Sequence, residues 1–295
     1  MDTTPVTTTS SRRAIFIDVD GTLLLDGRYI PDSAIEAIHR ARANGHLVFL
    51  STGRAMPELL GQILDIGFDG VVSNGGAFAT IGDELIVSQV MPQDVVVELE
   101  SVFAGRGIHW YLQSYDHLFA SPGLPELMEN YRRRDEELHL EKAAKAGVAP
   151  EELDFFTIAV KEFSDPALLD RSGIAKAVLL NDDVDAMESL LADLSSEYAV
   201  VSGTIPVPFG SSGEVTILGI NKGAAILATL DRLGIAAEQS IGIGDNWNDV
   251  EMFEVCGTSI AMGNAHPDVQ VLTDQVTESL LDDGIYRAFE RNELL

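Results

Sequence analysis

The chain has 295 residues, 46% of them hydrophobic, and 47 acidic against 19 basic side chains, a formal net charge of -28. That is enough apolar material for one large or two ordinary domains, and the acid excess excludes nucleic acid, whose phosphates need clustered Lys and Arg. The lone Cys256 has no internal disulfide partner, no apolar run reaches the roughly 18 residues of a membrane helix, and residues 1–13 lack a signal peptide's apolar core, so a cytoplasmic protein with a disordered tail over 1–13 and no membrane partner is expected.

The first element is "AIFIDVDG" (14–21), a buried strand running straight into Asp18 and Asp20. Side chains at i and i+2 of a strand share a face. Two carboxylates ~4 Å apart repel by about 4 kcal/mol at an effective dielectric near 20. Such a pair stays buried only if a cation offsets it or one carboxyl keeps its proton. "PDSAIEAIHRARANG" (31–45) opens on Pro-Asp and stops at Gly45, as helices do. "HLVFLSTGR" (46–54) and "GVVSNGG" (70–76) repeat the first pattern, a short apolar run ending in small or polar residues.

From 83 to 208 that pattern is absent. Short strands such as 108–113 and 175–181 accompany helical patterns near 124–146 and 183–198, which predicts an inserted α+β domain. "KGAAILATLDRLG" (222–234) then places Ile226, Leu230 and Leu233 on one helical face. "SIGIGDN" (240–246) and "SIAMGN" (259–264) complete five strands with polar endings. The alternation of strand and helix predicts an α/β core, a doubly wound parallel sheet built from 14–82 and 209–295. Ligands of such sheets bind outside the carboxyl ends of the strands, where the five endings would meet.

The chemistry at that edge is acidic with one cation. Asp245 and Asp249 lie four residues apart, so a helix starting near Asn246 brings them to one end. Lys222, one of only five lysines, opens a helix, and a helix N-terminus offers N–H donors and partial positive charge to a phosphate. Thr52 adds a hydroxyl. A hard cation such as Mg²⁺ takes one or two carboxylates plus substrate phosphate. The set therefore suits an anion bound through a metal.

At "DVDGTL" (18–23), "STGR" (51–54), "SNGG" (73–76), "NKG" (221–223), "GDNWNDVEMF" (244–253), "AMGNA" (261–265) and "DDGI" (282–285) the chain resembles phosphatases of the haloacid dehalogenase superfamily, in the Cof-type branch with a large inserted cap. The likeness covers nearly the whole core and is weak in the cap. It implies a Rossmann-like core and hydrolysis of a small phosphate monoester, by default a sugar phosphate. Flavin or pyridoxal phosphates are other substrates of related caps.

The resemblance implies that Asp18 is the nucleophile and forms an aspartyl-phosphate. Asp20 protonates the leaving oxygen and then deprotonates the attacking water. Thr52 and Lys222 hold phosphoryl oxygens, with Gly53 in the same segment. Asp18, the backbone carbonyl of Asp20, and Asp245 ligate Mg²⁺, and Asp249 supports the metal. Asn248 helps fix the phosphoryl group or Lys222. Asn74 and Gly75 either edge the mouth of the site or form a tight turn. Arg54 either meets substrate or pairs with an acidic neighbour.

Phosphate monoester hydrolysis needs accelerations reaching about 10²¹, so positioning and charge neutralisation must dominate. A halide leaves without a proton and an alkoxide does not, so the carboxyl of Asp20 favours phosphoryl chemistry over dehalogenation. A phosphomutase of the same superfamily and a non-catalytic sensor of a phosphorylated metabolite are the alternatives. The cap would close over the site on hinges near 82–85 and 207–213.

Two motifs read as structure, and a third fails the cofactor reading it suggests. "IHWYLQSYDHLF" (108–119), with His109, Trp110, Tyr111, Tyr115 and His117, fits a half-buried sheet face better than a sugar site. "RRR" (132–134) fits i, i+4 pairs of Arg132 with Glu136 and Arg133 with Glu137. "GIGDNW" lacks the last glycine of a dinucleotide fingerprint.

Overall fold

The opening apolar run forms β1 (Ala14–Ile17), followed by α1 (Asp32–Ala43), β2 (Leu47–Ser51), β3 (Gly70–Ser73), β4 (Phe78–Ile81) and β5 (Glu84–Ser88). The middle of the chain forms α2 (Gln93–Gly105), β6 (His109–Gln113), β7 (Leu118–Ala120), α3 (Leu124–Ala146), β8 (Lys176–Asn181), α4 (Val184–Leu194), β9 (Tyr198–Ser202) and β10 (Ser211–Ile217). The last part forms α5 (Lys222–Leu233), β11 (Ser240–Gly244), α6 (Val250–Val255), β12 (Thr258–Ala261), α7 (Pro267–Gln270), β13 (Gln275–Val276) and α8 (Gly284–Arg291). The computed structural model describes residues 12–25, 27, 29–59, 61–146, 162–203 and 210–295. Most of the expected tail (1–13) and part of the second expected hinge (207–213) lie outside them.

One sheet runs β13-β12-β11-β1-β2-β3-β4-β5. Its first six strands are parallel, and β4 and β5 add an antiparallel hairpin. All five strands with polar endings lie together in it. Alternation along each strand sends Ile15, Ile17, Val48, Leu50 and Ile243 under α1 and α8, where Ile38, Ala41 and Phe289 cover them. The opposite face sends Phe16, Phe49 and Val72 under α5 and α6, against Ile226, Leu230 and Met252. Phe16 and Phe49 stack with centroids 5.1 Å apart. Strands covered on both faces read as unbroken apolar runs, which is why they are legible in the sequence.

The second sheet, β7-β6-β8-β10-β9, is antiparallel throughout. Trp110, Leu112, Ala177 and Leu179 on one face pack with Val96, Leu99 and Phe103 of α2 and Met187 and Leu190 of α4. Tyr111, Val178 and Leu180 on the other face pack with Leu124, Met128 and Tyr131 of α3. The molecule is an α/β core with an inserted α+β domain. Among the described residues no helix is long and apolar enough to cross a membrane.

Strand pairing moves the expected domain limits. The turn at Gly82 and Asp83 is the hairpin turn between β4 and β5, so the core sheet continues to Ser88. At the other end β10 pairs with β8 and β9, so the inserted domain continues to Ile217. The chain crosses between the sheets near 89–92 and 218–221, past the limit expected at 82/83, and the limit expected at 208/209 lies outside the described residues. A turn signal cannot tell a hairpin from a domain exit.

In the aromatic stretch Trp110 and Tyr111 are buried on opposite faces, Tyr115 meets Phe78 edge-on at 5.3 Å, and the His117 ring bonds the Ser164 hydroxyl at 2.9 Å. Arg132 pairs with Glu129 and Glu136 along α3, while Arg133 bonds Asn130 at 3.2 Å.

Candidate active site

Ile17 is held between Ile243 and Leu50 in register, so Asp18 is the first residue past the carboxyl end of β1. Its N–H donates to the Ile243 carbonyl at 2.9 Å. Asp18 is only 4% exposed. The N-cap of α5 is Asn221, whose side chain accepts from the Ala224 N–H at 2.8 Å. That cap aims the first residue of the helix, Lys222, into the same place. The Lys222 Nζ, on a side chain 2% exposed, donates to Asp18 Oδ1 and to Asp249 Oδ1, each at 2.6 Å.

Asp249 closes a short turn after β11. Its Oδ2 accepts the N–H groups of Asp245 and Asn246 at 3.0 and 3.1 Å, so both its oxygens are engaged. Asp245 Oδ1 accepts the Thr22 hydroxyl at 2.9 Å. One carboxylate oxygen from each of Asp18, Asp245 and Asp249 lies within 4.8 Å of the others.

Three carboxyls thus face one ammonium. Burial, then the charge of Asp249, lifts the Asp18 carboxyl well above the ordinary carboxylate range despite Lys222. Burial, then Asp249, pushes Asp245 up to about 7. Burial pulls the Lys222 ammonium down, but Asp18 and Asp249 outweigh it and the net shift is upward. The lysine is therefore charged, and the cluster stays short of positive charge.

A divalent cation fits this donor set. Its oxygens are hard ligands, and Lys222 takes only one oxygen of Asp18. Room for the cation is kept by Gly21. Its φ is +86°, and a Cβ there would lie 2.3 Å from Asp245 Oδ2. Gly21→Ala is expected to weaken divalent-cation binding about 10- to 100-fold, the usual cost of disturbing a ligand's support. Calorimetric titration checks it, and unchanged affinity in the folded variant would show that Gly21 keeps no cradle.

The two aspartates of the opening strand do not share a partner. The strand ends at Ile17, Asp18 enters the buried cluster, and the Asp20 side chain is 57% exposed. Arg54 clasps Asp20 with Nε at 2.8 Å and Nη2 at 2.6 Å. The two carboxylates pair with different cations of the chain, Asp20 with Arg54 and Asp18 with a Lys222 that it shares with Asp249. Arg54 thus pairs with an acidic neighbour, and its Nη1 also reaches the Glu58 carbonyl at 3.1 Å.

Thr52 is buried beyond the end of β2, its Oγ1 accepting the Arg54 N–H at 3.1 Å. The Gly53 carbonyl accepts from the Lys176 ammonium at 2.7 Å. Asn74, with φ 51°, donates its side-chain amide to Gln113 Oε1 at 3.3 Å and the Ser114 carbonyl at 3.1 Å. The Gly75 N–H donates to the Thr52 carbonyl at 2.9 Å. Asn248 Oδ1 is buried without a hydrogen-bond partner, and Lys222 is held by the two aspartates instead. Gly76, at φ +104°, lets the loop after β3 approach α5, since a Cβ there would meet the Asn221 carbonyl at 2.1 Å.

Several residues at this edge carry no role in the sequence reading. Thr22 stands inside the "DGT" stretch, where its hydroxyl was the available signal. Asn264 ties the "AMGN" stretch to the first loop by donating to the Gly21 carbonyl at 2.8 Å. Gln113, Lys176 and Glu214 come from the inserted domain, and nothing local in their strands points to the core.

The model of the haloacid dehalogenase-like hydrolase family matches residues 15–289. A Streptococcus pyogenes serotype M6 protein whose name pairs a phosphatase with a peptidyl-prolyl cis-trans isomerase is 26% identical over 285 residues, 96% of this chain and 54% of that one. The chain spans about half the length of that relative. The 5-amino-6-(5-phospho-D-ribitylamino)uracil phosphatase YwtE of Bacillus subtilis (strain 168) is 27% identical over 285 residues, 92% of this chain and 95% of that one. A crystal structure of a hypothetical protein from Geobacillus kaustophilus HTA426 superposes with a TM-score of 0.76 at 25% identity, covering 97% of this chain and 100% of that one.

Proposed function

The chain belongs to the haloacid dehalogenase-like hydrolases, and from that membership we propose that it is a Mg²⁺-dependent phosphatase of small phosphate monoesters working through a phospho-aspartate on Asp18. The observation that carries this reading is the buried cluster at the carboxyl ends of β1 and β11. There one ammonium bonds two carboxylates at 2.6 Å, and a third stands beside them. Such a cluster has a use for a metal and an anion, and little use as a packing element.

Asp18 attacks phosphorus. The phosphorus–ester oxygen bond breaks, and Asp20, protonated in the substrate complex, gives its proton to the departing alkoxide. Asp20 then takes a proton from water, which attacks the same phosphorus, and the Asp18–phosphorus bond breaks to release inorganic phosphate. Lys222 and the Thr52 hydroxyl hold phosphoryl oxygens. Arg54 sets where the Asp20 carboxyl lies. A cation held by Asp18, Asp245 and the Asp20 backbone carbonyl, with Asp249 in support, would supply the positive charge that phosphoryl transfer needs. The inserted domain acts as a cap that selects the leaving group. Sugar phosphates and polyol phosphates, including the ribitylamino phosphate in the name of the B. subtilis relative, are the substrates to try first.

The test is phosphate release from a panel of small esters with Mg²⁺ and with a chelator. Release is expected to need Mg²⁺. Release that persists undiminished in chelator would remove the metal from the reading. An isomerised sugar phosphate in place of free phosphate would point to a mutase. Ligand binding without turnover would point to a sensor.

A further inference from the structure

Among the described residues, side-chain hydrogen bonds from Gln113, Lys176 and Asn74 join the inserted domain to the core, and they converge on two loops. On the inner face of the second sheet Gln113 of β6 stands directly opposite Lys176 of β8. The Lys176 Nζ donates to Glu214 Oε2 on β10 at 2.8 Å and to the Gly53 carbonyl at 2.7 Å. The Gln113 side chain donates to Glu58 Oε2 at 2.9 Å and accepts from Asn74 at 3.3 Å. Asn74 also donates to the Ser114 carbonyl at 3.1 Å.

The two core loops are laced to each other. The Asn74 N–H donates to the Arg54 carbonyl at 2.8 Å, and the Gly75 N–H to the Thr52 carbonyl at 2.9 Å. Lys176 therefore grips the middle residue of a segment whose flanking residues are Thr52 and Arg54. Arg54 in turn holds Asp20.

Lys176 is 2% exposed in a chain with five lysines. A buried ion pair is a poor device for stability, because well-packed apolar side chains do that work as well or better. Its ammonium has a directional task that an apolar side chain cannot perform, a hydrogen bond to one backbone carbonyl of the other domain.

We propose that Lys176 is a positioning residue, whose ammonium fixes the Gly53 carbonyl and thereby orders the Thr52–Arg54 segment when the inserted domain is seated. The task of that segment, holding a phosphoryl group and placing Asp20, rests on the phosphatase reading. The ordering itself does not. Because the donor belongs to one domain and the acceptor to the other, the segment is complete only in the seated arrangement, which couples domain closure to the chemistry.

The test uses the full chain with Lys176→Met, Lys176→Arg and the double variant Lys176→Met/Glu214→Gln, which leaves no unpaired carboxylate if the single variant folds poorly. Hydrogen exchange at the Asn74 and Gly75 amides reads the loop directly, and it is expected to quicken severalfold in Lys176→Met. kcat on the best ester is expected to fall about 10- to 100-fold, the range for a slightly misplaced catalytic group. Mg²⁺ affinity stays unchanged, and Lys176→Arg restores most of the loss. Exchange and kcat within twofold of wild type in a folded Lys176→Met or double variant would overturn the proposal. If wild type releases no phosphate from any ester while Lys176→Met still quickens exchange at those amides, the phosphatase reading fails and the positioning stands.

Discussion

Asp18→Asn is expected to lower phosphate release about 10⁴-fold or more, as loss of an attacking group does in enzymes whose groups act as a unit, without lowering the melting temperature in metal-free buffer. The activity loss follows from the proposed chemistry, since an amide oxygen cannot form the phospho-enzyme. The stability follows from the site as it stands. Asp18 is one of three carboxyls around a single ammonium, and burial and Asp249 raise its pKa. The folded state then binds more protons than the unfolded state, so this group costs stability as pH rises above the ordinary carboxylate range. Asparagine keeps the oxygen that accepts from Lys222 and removes a charge from a cluster with too many of one sign. Turnover within tenfold of wild type would place the nucleophile elsewhere. A clear drop in melting temperature would show that the carboxylate holds the fold together.

Lys222→Met should do the reverse and damage fold and function at once. Among the described residues Lys222 is the cation bonded to Asp18 and Asp249, and all three are buried. Removing it leaves carboxylates without a counter-charge, which costs about 3–5 kcal/mol when one partner of a buried ion pair is lost. Turnover should fall about 10³-fold with the loss of a fixed charge aimed at the phosphoryl group. Mg²⁺ should recover part of the stability by binding the folded state only. Urea titrations with and without Mg²⁺ measure both effects. An unchanged midpoint in metal-free buffer would mean that the carboxyls are neutral there and need no partner.

The two variants separate roles that sequence spacing treats alike. Both positions lie in short motifs, at the start of a strand's loop and at the start of a helix. Only the bonds between them, 204 residues apart in the chain, make one variant harmless to the fold and the other destabilising.

What the sequence by itself determined was local. Runs such as Ala14–Ile17 and Leu47–Ser51 can bury both faces only as central strands, and polar residues directly after them must gather at one sheet edge. That reasoning names Asp18, Thr52 and Asp245, and a helix opening at Lys222 adds the cation. The tertiary structure decided which partner each charge takes. It gave Asp20 to Arg54 and Asp18 to Lys222, where spacing had set the two aspartates against each other. It placed the crossings between the sheets past a hairpin turn that reads as a boundary. It also brought Lys176 onto Gly53, 123 residues away. Strand and helix patterns follow from how one segment meets water and core, so they are written in that segment. A contact between two domains depends on how two finished sheets pack, and no periodicity within either strand records it.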